Sequence, residues 1–370
     1  MHTRPLLNHI ATQGGDPAAL PHVSFAELPT PVDAHPNAAR DLGLGALLVK
    51  RDDLTGTAYG GNKVRKLEFL LGDAQARGAR TVLTFGAAGS NHCLATATYA
   101  RALGLRCVAM LVPQHNAHSV RRNLLAGFAR GSQLDLRGNR LAVALGTAAH
   151  FRAEHAATGT WPSVFPAGGS SPVGCLGYVN AALELADQVA AGECPEPDVI
   201  YVASGTMGTC AGLLLGLALS PLRTRVCAIA VTSAPYTSEK KAPKLFEATN
   251  RLLHDRCPQV PLLPFPGDRF SLRTEFLGQE YALYTPEGMA AVDYAKEHLH
   301  LKLEGTYTGK TMAALLADAR SGALSGKRVL CWDTYSSADL SPELNGLDYH
   351  ALPAPLHRFF EEPVQPLDTQ

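Results

Sequence analysis

The sequence is first defined by what it lacks. It has no net charge, with 33 lysines and arginines against 33 aspartates and glutamates, and no apolar run long enough to span a membrane. Its first ten residues lack the apolar core of a signal peptide. Its eight cysteines show no paired spacing, and its histidines include no His-Glu-x-x-His signature. These absences predict a cytoplasmic protein with no nucleic-acid partner, no membrane partner, no metal and no disulfides.

Strand and helix candidates alternate along the chain. Short apolar runs typical of buried strands lie near 81–85, 106–112, 198–203, 224–231 and 328–332, and helix candidates lie between them. Such alternation is typical of parallel sheets that helices cover on both faces. A chain of 370 residues is also long enough for about two domains. The sequence therefore predicts an α/β fold.

Lys63 is hard to explain as ordinary surface charge. The run 59–71 is typical of a glycine turn, an asparagine cap at Asn62 and a helix that starts at Lys63. Helical spacing places Lys63 on the apolar stripe of that helix, whereas Arg65 and Glu68 fall towards other faces. Burial lowers the pKa of a lysine, and an uncharged amine can attack a carbonyl to form a Schiff base. The ordinary alternative is a lysine that extends its charged end into solvent.

Two glycine-rich segments follow strand candidates. Segment 86–92 presents Ser90, Asn91 and His92 at the end of one strand, and segment 204–212 follows another. Backbone N–H groups and a helix N-terminus in such a loop can bind one phosphate without a charged side chain. Segment 204–212 lacks the Walker A lysine, and its glycines do not match the dinucleotide spacing. A plain tight turn is the alternative.

In these segments the chain resembles the pyridoxal-phosphate (PLP) enzymes of the tryptophan-synthase-β type, known as fold type II. Within them it is most similar to the branch of D-cysteine desulfhydrase and 1-aminocyclopropane-1-carboxylate (ACC) deaminase. The similarity runs from about Leu28 to about Thr334. The segments that carry it are 50–53, 60–68, 89–92, 165–170, 174–179, 204–212 and 307–312.

The resemblance implies an architecture, a cofactor and an assembly. It implies two open, twisted, mostly parallel sheets flanked by helices, with pyridoxal 5'-phosphate in the cleft between two domains. The larger, PLP-binding domain would comprise 1–63 and 166–370, and a small α/β domain, 64–165, would be inserted between them. The expected assembly is a homodimer, and the expected substrate is a small amino acid.

The resemblance also assigns roles to single residues. The cofactor-binding residues are Lys63, which forms the Schiff base, with Lys66, Asn91, Ser204, Gly205, Thr206, Met207, Gly208, Thr209, Thr308 and Thr334. Among these, Lys66 and the loop 204–209 hold the phosphate, Asn91 binds the phenolic oxygen, and Thr334 is the partner of the pyridine nitrogen. The catalytic residues are Lys63, Ser90, Tyr281 and Tyr307. The substrate-binding residues are Ser90, Asn91 and His92.

Two positions divide the branch. The deaminases carry glutamate after the motif tyrosine and leucine at the pyridine-nitrogen site, whereas this chain has Thr308 and Thr334. His92, where the deaminases carry glutamine, also resembles the desulfhydrases. Two departures from the branch are the stretches 280–282, Glu-Tyr-Ala in place of Gly-Tyr-Gly, and 333–336, Asp-Thr-Tyr-Ser in place of His-Thr-Gly-Gly. Their larger side chains are expected near the mouth of the substrate site.

Two further features are interpreted as lying on the surface. Arg121-Arg122 and the charged run 239–241 are typical of solvated faces. The tail after about Tyr349 is expected to be a loose arm or a subunit contact.

The function predicted from the resemblance is that of a PLP-dependent lyase. It would remove the Cα proton of a D-cysteine-like amino acid and eliminate the β-group, giving pyruvate and ammonia. The alternatives within the enzyme class are ACC deamination and the dehydration or racemisation of serine-like substrates. Outside it, the alternative is a carrier of PLP or of a phosphate metabolite, which would need only the phosphate loop.

Overall fold

The structure is a computed structural model that describes residues 4–369. Its strands are β1 (Val32–Ala34), β2 (Ala46–Arg51), β3 (Thr81–Ala87), β4 (Arg106–Val112), β5 (Gln133–Leu136), β6 (Ser163–Phe165), β7 (Val199–Ser204), β8 (Arg225–Ala230), β9 (Phe270–Arg273) and β10 (Arg328–Asp333). Its longer helices are α1 (Pro5–Thr12), α2 (Pro36–Asp41), α3 (Lys63–Ala76), α4 (Asn91–Ala102), α5 (His118–Ala129), α6 (Arg140–Thr158), α7 (Pro172–Ala190), α8 (Gly208–Ala218), α9 (Lys241–Arg256), α10 (Pro286–Tyr294) and α11 (Thr308–Arg320). Two four-residue helices, α12 (Ser341–Leu344) and α13 (Arg358–Glu361), lie in the C-terminal segment.

The strands form two sheets. The larger has the order β1-β2-β10-β7-β8-β9, and only its edge strand β1 runs antiparallel to its neighbour. The smaller has the order β5-β4-β3-β6 and is parallel throughout. The predicted α/β class with two mostly parallel sheets is confirmed. The small sheet is drawn from residues within 81–165, while the exact division of the chain into two domains stays a prediction.

Helices cover both faces of the large sheet. One apolar core packs its first face against α1, α7, α8 and α9, and a second packs the other face against α2, α10 and α11. Burial on both faces explains why the central strands have apolar side chains at almost every position rather than alternating ones. None of the described helices is long and apolar enough to cross a membrane. All eight cysteines are buried and unpaired.

The C-terminal tail is not a loose arm. The Asn116 side-chain amide donates hydrogen bonds to the carbonyl oxygens of Phe359 and Glu362, both at 2.9 Å. The Asp368 carboxylate accepts a hydrogen bond of 2.6 Å from the backbone N–H of His118, where α5 begins. Of the two expectations for the tail, the loose arm is therefore wrong, because its backbone and side chains find partners along this edge of α5, and the subunit contact stays a prediction.

Candidate active site

A cavity of about 370 Å³ is lined by residues of both sheets. It lies at the carboxyl ends of β3, β7 and β10, where ligands bind in open α/β folds. The predicted site residues that line it are Lys63, Lys66, Ser90, Asn91, His92, Ser204, Gly205, Thr206, Met207, Gly208, Thr209, Tyr281, Tyr307 and Thr334. Thr308 is not among the lining residues. The fold thus brings together side chains that are up to 271 positions apart in the sequence, from Lys63 to Thr334.

Lys63 is the first residue of α3, and its amine has no carboxylate partner. Its Nζ donates a hydrogen bond of 2.6 Å to Oδ1 of Asn62. Burial lowers the pKa of Lys63 well below its usual range, and the nearby Lys66 lowers it further. Asn62 stands at the predicted cap position, but its side chain makes no capping hydrogen bond. Instead, the side-chain oxygen of Asn62 accepts the hydrogen bond from Lys63, and its Nδ2 donates to the Thr209 hydroxyl at 3.3 Å.

The other sides of α3 are buried as well. Arg65 lies opposite the cavity and donates to Asp52 at 2.7 Å and to Glu184 at 2.9 Å. Glu68, likewise buried, pairs with Arg4. The expectation of a single apolar stripe is therefore incomplete: every residue from Val64 to Ala74 is buried, and the charged groups that point away from the cavity are paired with groups of opposite charge. These pairs fix the rotation of α3 and with it the position of Lys63.

The loop between β7 and α8 is built to receive an anion. Among the described residues, no acceptor takes the backbone N–H groups of Gly205, Thr206 or Met207, and the buried Ser204 hydroxyl has no partner. Met207 adopts a φ of 67°, which turns the chain sharply into the N-terminus of α8. Free N–H groups and a helix N-terminus at one point favour a phosphate.

Lys66 and His92 lie at this same end of the cavity. Lys66 donates to the carbonyl oxygen of Gly168 at 3.1 Å, and burial lowers its pKa to about 8. His92 and Lys66 both lie close to Gly169. A Cβ at this glycine would be 3.1 Å from Cε1 of His92 and 3.5 Å from Cδ of Lys66. Neither ring nitrogen of the buried His92 has a partner, and burial lowers its pKa well below the usual range. His92 therefore stands next to Lys66, and its contact with a substrate carboxylate stays a prediction.

Asn91 is oriented by two donors. Its Oδ1 accepts hydrogen bonds from Asn123 at 2.8 Å and from the Tyr59 hydroxyl at 3.1 Å. Because both bonds go to the oxygen, the Nδ2 group is left as the donor for a ligand. Ser90, just before it, caps α4 and also lines the cavity.

Sequence reasoning missed the residues behind Asn91. Arg122 was expected on a solvated face, but its guanidinium donates to the Tyr335 hydroxyl at 2.6 Å and to Asn123 at 3.2 Å. That expectation is wrong, because a helical turn of α5 brings Arg122 and Asn123 against two cavity residues. No local sequence signal distinguishes Arg122 from its neighbour Arg121, so only the fold reveals the contact. Tyr335 lines the cavity, as its departure from the branch pattern suggested.

The two predicted tyrosines form a pair. Their hydroxyl oxygens are 2.5 Å apart, and burial raises the pKa of Tyr281 to about 12 and that of Tyr307 well above its usual range. Both are therefore uncharged at neutral pH. Thr308 turns away from the cavity, because its hydroxyl accepts the N–H of Glu304 at 2.9 Å and its own N–H donates to the Glu304 carboxylate. The predicted cofactor contact of Thr308 is not supported by this geometry.

Glu280, in the other departure, precedes the cavity residue Tyr281 but does not itself line the cavity. Its carboxylate is 2.7 Å from Nε2 of His115, and both side chains are exposed. Glu280 therefore joins two segments of the chain and does not narrow the interior of the cavity.

The donor set fits pyridoxal phosphate. The orphaned Ser204 hydroxyl and the free N–H groups of 205–207 suit its phosphate, and the Lys63 amine, whose pKa burial lowers, suits its aldehyde. Asn91 Nδ2 suits a phenolic oxygen, and the Thr334 side chain, which lines the cavity, suits a ring nitrogen. Within residues 4–369, no cluster of three metal-ligating side chains competes with this interpretation.

Comparisons with known proteins agree with this geometry. The family of pyridoxal-phosphate dependent enzymes matches residues 23–334. A putative ACC deaminase of Pyrococcus horikoshii is 34% identical over 317 residues, which cover 85% of this chain and 91% of that protein. A D-cysteine desulfhydrase of Yersinia enterocolitica is 35% identical over 305 residues, covering 81% and 88%. The crystal structure of an ACC deaminase homologue superposes with a TM-score of 0.73 at 31% identity and covers 93% of this chain and 99% of that one.

Proposed function

Because the chain belongs to the family of pyridoxal-phosphate dependent enzymes, we propose that it is a lyase that eliminates the β-group of a small, D-cysteine-like amino acid. The observation that carries the proposal is the Lys63 amine, partly buried and without a carboxylate partner among residues 4–369, in a cavity that also holds a phosphate loop. A carrier of PLP or of a phosphate metabolite would need the loop alone.

Bound pyridoxal phosphate would supply an aldehyde and a ring that accepts electron density from the substrate Cα. The residues of the chain would do the remaining work. Burial lowers the pKa of the Lys63 amine and so favours the uncharged form, which would take the Cα proton. Ser90 and Asn91 lie at the N-terminus of α4, where a substrate carboxylate is favoured.

The tyrosine pair is suited to the leaving group. Tyr281 and Tyr307 share one short hydrogen bond and remain protonated at neutral pH, so that either can hold or donate a proton. The overall reaction consumes one water and releases pyruvate, ammonia and the protonated leaving group, which is hydrogen sulfide if the substrate is cysteine. This β-elimination leaves no net change in oxidation state and needs no further reactant.

The absence of a carboxylate at both 308 and 334 favours elimination over ring opening. The deaminases carry glutamate where this chain has Thr308 and leucine where it has Thr334, so that a ring nitrogen beside the Thr334 hydroxyl, with no carboxylate at either position, would leave the ring a weaker electron acceptor. Breaking the carbon–carbon bond of ACC would demand more of the ring than releasing a thiolate. Thr308 itself does not line the cavity, so it supports the argument only through the missing carboxylate. ACC deamination is the second candidate, since relatives of both names are similarly identical.

An assay for two oxo acids separates the candidates. Purified enzyme loaded with PLP is given D- and L-cysteine, D- and L-serine, β-chloroalanine and ACC, and pyruvate and 2-oxobutyrate are measured. We expect pyruvate from D-cysteine or β-chloroalanine and little 2-oxobutyrate from ACC. A higher kcat/KM for 2-oxobutyrate formation would replace the lyase with a deaminase, and no oxo acid from any substrate would favour the carrier.

The organisation of the protein is also part of the proposal. We propose a large domain of residues 1–63 and 166–370 and a small domain of 64–165. Its support is that residues 81–165 supply all four strands of the small sheet. We also propose a homodimer, on the resemblance alone, which sedimentation of the purified protein would test, and a cytoplasmic location, on the composition of the sequence.

A further inference from the structure

The backbone just after Tyr281 is held by a side chain from the end of the sequence. The N–H of Tyr284 donates to Oε1 of Gln365 at 2.7 Å, and Nε2 of Gln365 donates to the carbonyl oxygen of Ala282 at 3.0 Å. One buried amide group therefore bonds to both ends of a three-residue stretch, and both its donor and its acceptor are used.

This stretch contains a residue in a strained conformation. Ala282 has a φ of 62°, in the left-handed region that disfavours any residue with a Cβ. Ala282 occupies a position where the resembling enzymes carry glycine. Because Ala282 would relax towards negative φ on its own, its conformation needs support from surrounding contacts.

The segment that contains Gln365 is itself held in place by hydrogen bonds with Asn116. The backbone N–H of Gln365 donates to the carbonyl oxygen of Asn116 at 3.0 Å, and the Asn116 side chain binds two carbonyl oxygens of the tail. Helix α5, which carries Arg122 and Asn123, begins two residues after Asn116. The tail thus joins the segment of Tyr281 to the helix that orients Asn91.

We propose that Gln365 is a positioning residue of the active site, which holds the Tyr281 hydroxyl against that of Tyr307 by keeping Ala282 in its left-handed conformation. The inference rests on the proposed function, in which the tyrosine pair serves the leaving group. Gln365 itself does not line the cavity. It acts through the backbone of residues 282–284.

The test compares Gln365→Met with Gln259→Met. Methionine keeps the length of the side chain but can neither donate nor accept as an amide does. Gln259 is exposed and has only a 3.4 Å contact with Gly14, so that it serves as the matched control. The first measurement needs neither cofactor nor turnover: amide hydrogen exchange of the peptide that contains Tyr284, in protein without PLP. We expect exchange to be at least about tenfold faster in Gln365→Met only.

The second measurement uses the loaded enzyme. We expect kcat with the best substrate to fall roughly 10- to 100-fold in Gln365→Met, as a misplaced catalytic group would cause. KM and the visible absorbance band of bound PLP should change little, because Lys63, Asn91 and the loop 204–209 do not contact Gln365. Adding Ala282→Gly to Gln365→Met should recover part of kcat, because glycine adopts this φ freely.

Several results would overturn the inference. They are unchanged exchange and unchanged kcat, a loss of the PLP band in proportion to kcat, or a double variant with no recovery of kcat. If Gln365→Met does not fold, Gln365→Glu, which keeps the acceptor but not the donor, is measured in the same way. If the wild-type enzyme eliminates from no substrate, the proposed function fails, and hydrogen exchange still decides whether Gln365 holds the segment.

Discussion

Helix α3 carries basic side chains on two sides, and the two sides differ in their partners. Arg65, on the side away from the cavity, makes four hydrogen bonds of 2.7 to 3.0 Å to the carboxylates of Asp52 and Glu184. Lys63 and Lys66, on the cavity side, reach only an amide oxygen at 2.6 Å and a carbonyl oxygen at 3.1 Å. The same helix therefore has an anchored side and a cavity side.

The carboxylate partners of Arg65 set its pKa apart from those of the two lysines. Burial opposes the charge of Arg65, but Asp52 and Glu184 outweigh it and raise the pKa of Arg65 well above its usual range. Burial alone would raise the pKa of Glu184, yet Arg65 and Lys50 hold it at about 2. Burial lowers the pKa of Lys63 and of Lys66, which have no carboxylate partner among residues 4–369, and it also lowers the pKa of Lys50 although Glu184 accepts a hydrogen bond from it. Buried charges with partners position the helix, and buried amines without them are available for chemistry.

Removing the Lys63 amine should have the largest effect. We expect Lys63→Ala to lower kcat on the order of 10³-fold or more, because it removes both the covalent attachment and the base. Steady-state kinetics and the visible spectrum measure this, with Lys66→Ala as the comparison, which should weaken PLP binding but retain turnover at saturating PLP. Substantial turnover in Lys63→Ala would remove the distinction between the two sides of α3.

Breaking the anchored side should affect stability rather than chemistry. Glu184→Gln leaves Arg65 and Lys50 with too few carboxylates, and we expect the free energy of unfolding to fall by about 3–5 kcal/mol. Urea denaturation without PLP measures this. Asp198→Asn, at the partly exposed pair with Arg328, is the matched control and should cost less than about 1 kcal/mol. A Glu184→Gln variant as stable as this control would show that the network does not anchor α3.

A methyl group in the phosphate loop should affect cofactor binding alone. A Cβ on Gly205 would meet Val231 at 3.5 Å and nothing closer, whereas one on Gly208 would lie 2.4 Å from Oγ of Ser170. Gly205→Ala therefore fits the loop as it is folded but would crowd a bound phosphate, and we expect PLP affinity to fall roughly 10- to 100-fold. Thermal stability without PLP should match that of Gly138→Ala, where a Cβ meets nothing. Equal losses of affinity and stability would favour a purely structural turn.

The smallest expected effect is on the pH dependence of stability. The pKa of Lys66 is about 8 in the folded protein and 10.5 ordinarily. Between these values the unfolded chain binds more protons at this residue, so that its contribution to the free energy of unfolding rises with pH. Below pH 8 both states are protonated and the slope vanishes. Denaturation of PLP-free protein across this window should show a shallower rise in Lys66→Met, and parallel curves would contradict the lowered pKa.

The parts of the site that are continuous in sequence could be predicted. The start of α3 at Lys63, the ends of β3 and β7, and the loop 204–209 follow from apolar runs and glycines a few residues apart. The resemblance then supplied Tyr281 and Tyr307, which no local pattern identifies.

The parts of the site that depend on long-range contacts could not be predicted from the sequence. Asn62 has the composition of a cap, but its side chain is taken by Lys63 and Thr209, which lies 147 positions away. Arg122 and Gln365 contact the site through partners 213 and 81 positions away. Thr308 follows a motif tyrosine, yet Glu304 draws it away from the cavity. Such outcomes depend on which groups compete for a hydrogen bond once the chain is folded.

The central claim is that PLP attaches to Lys63, the partly buried amine that has no carboxylate partner among the described residues. Borohydride reduction of the loaded protein fixes PLP to the lysine that holds it, and proteolysis followed by mass spectrometry locates the added mass. The account predicts the mass on Lys63 and none on Lys66 or Lys50. Modification of Lys66 in place of Lys63, or of no lysine in a protein that has bound PLP, would contradict it.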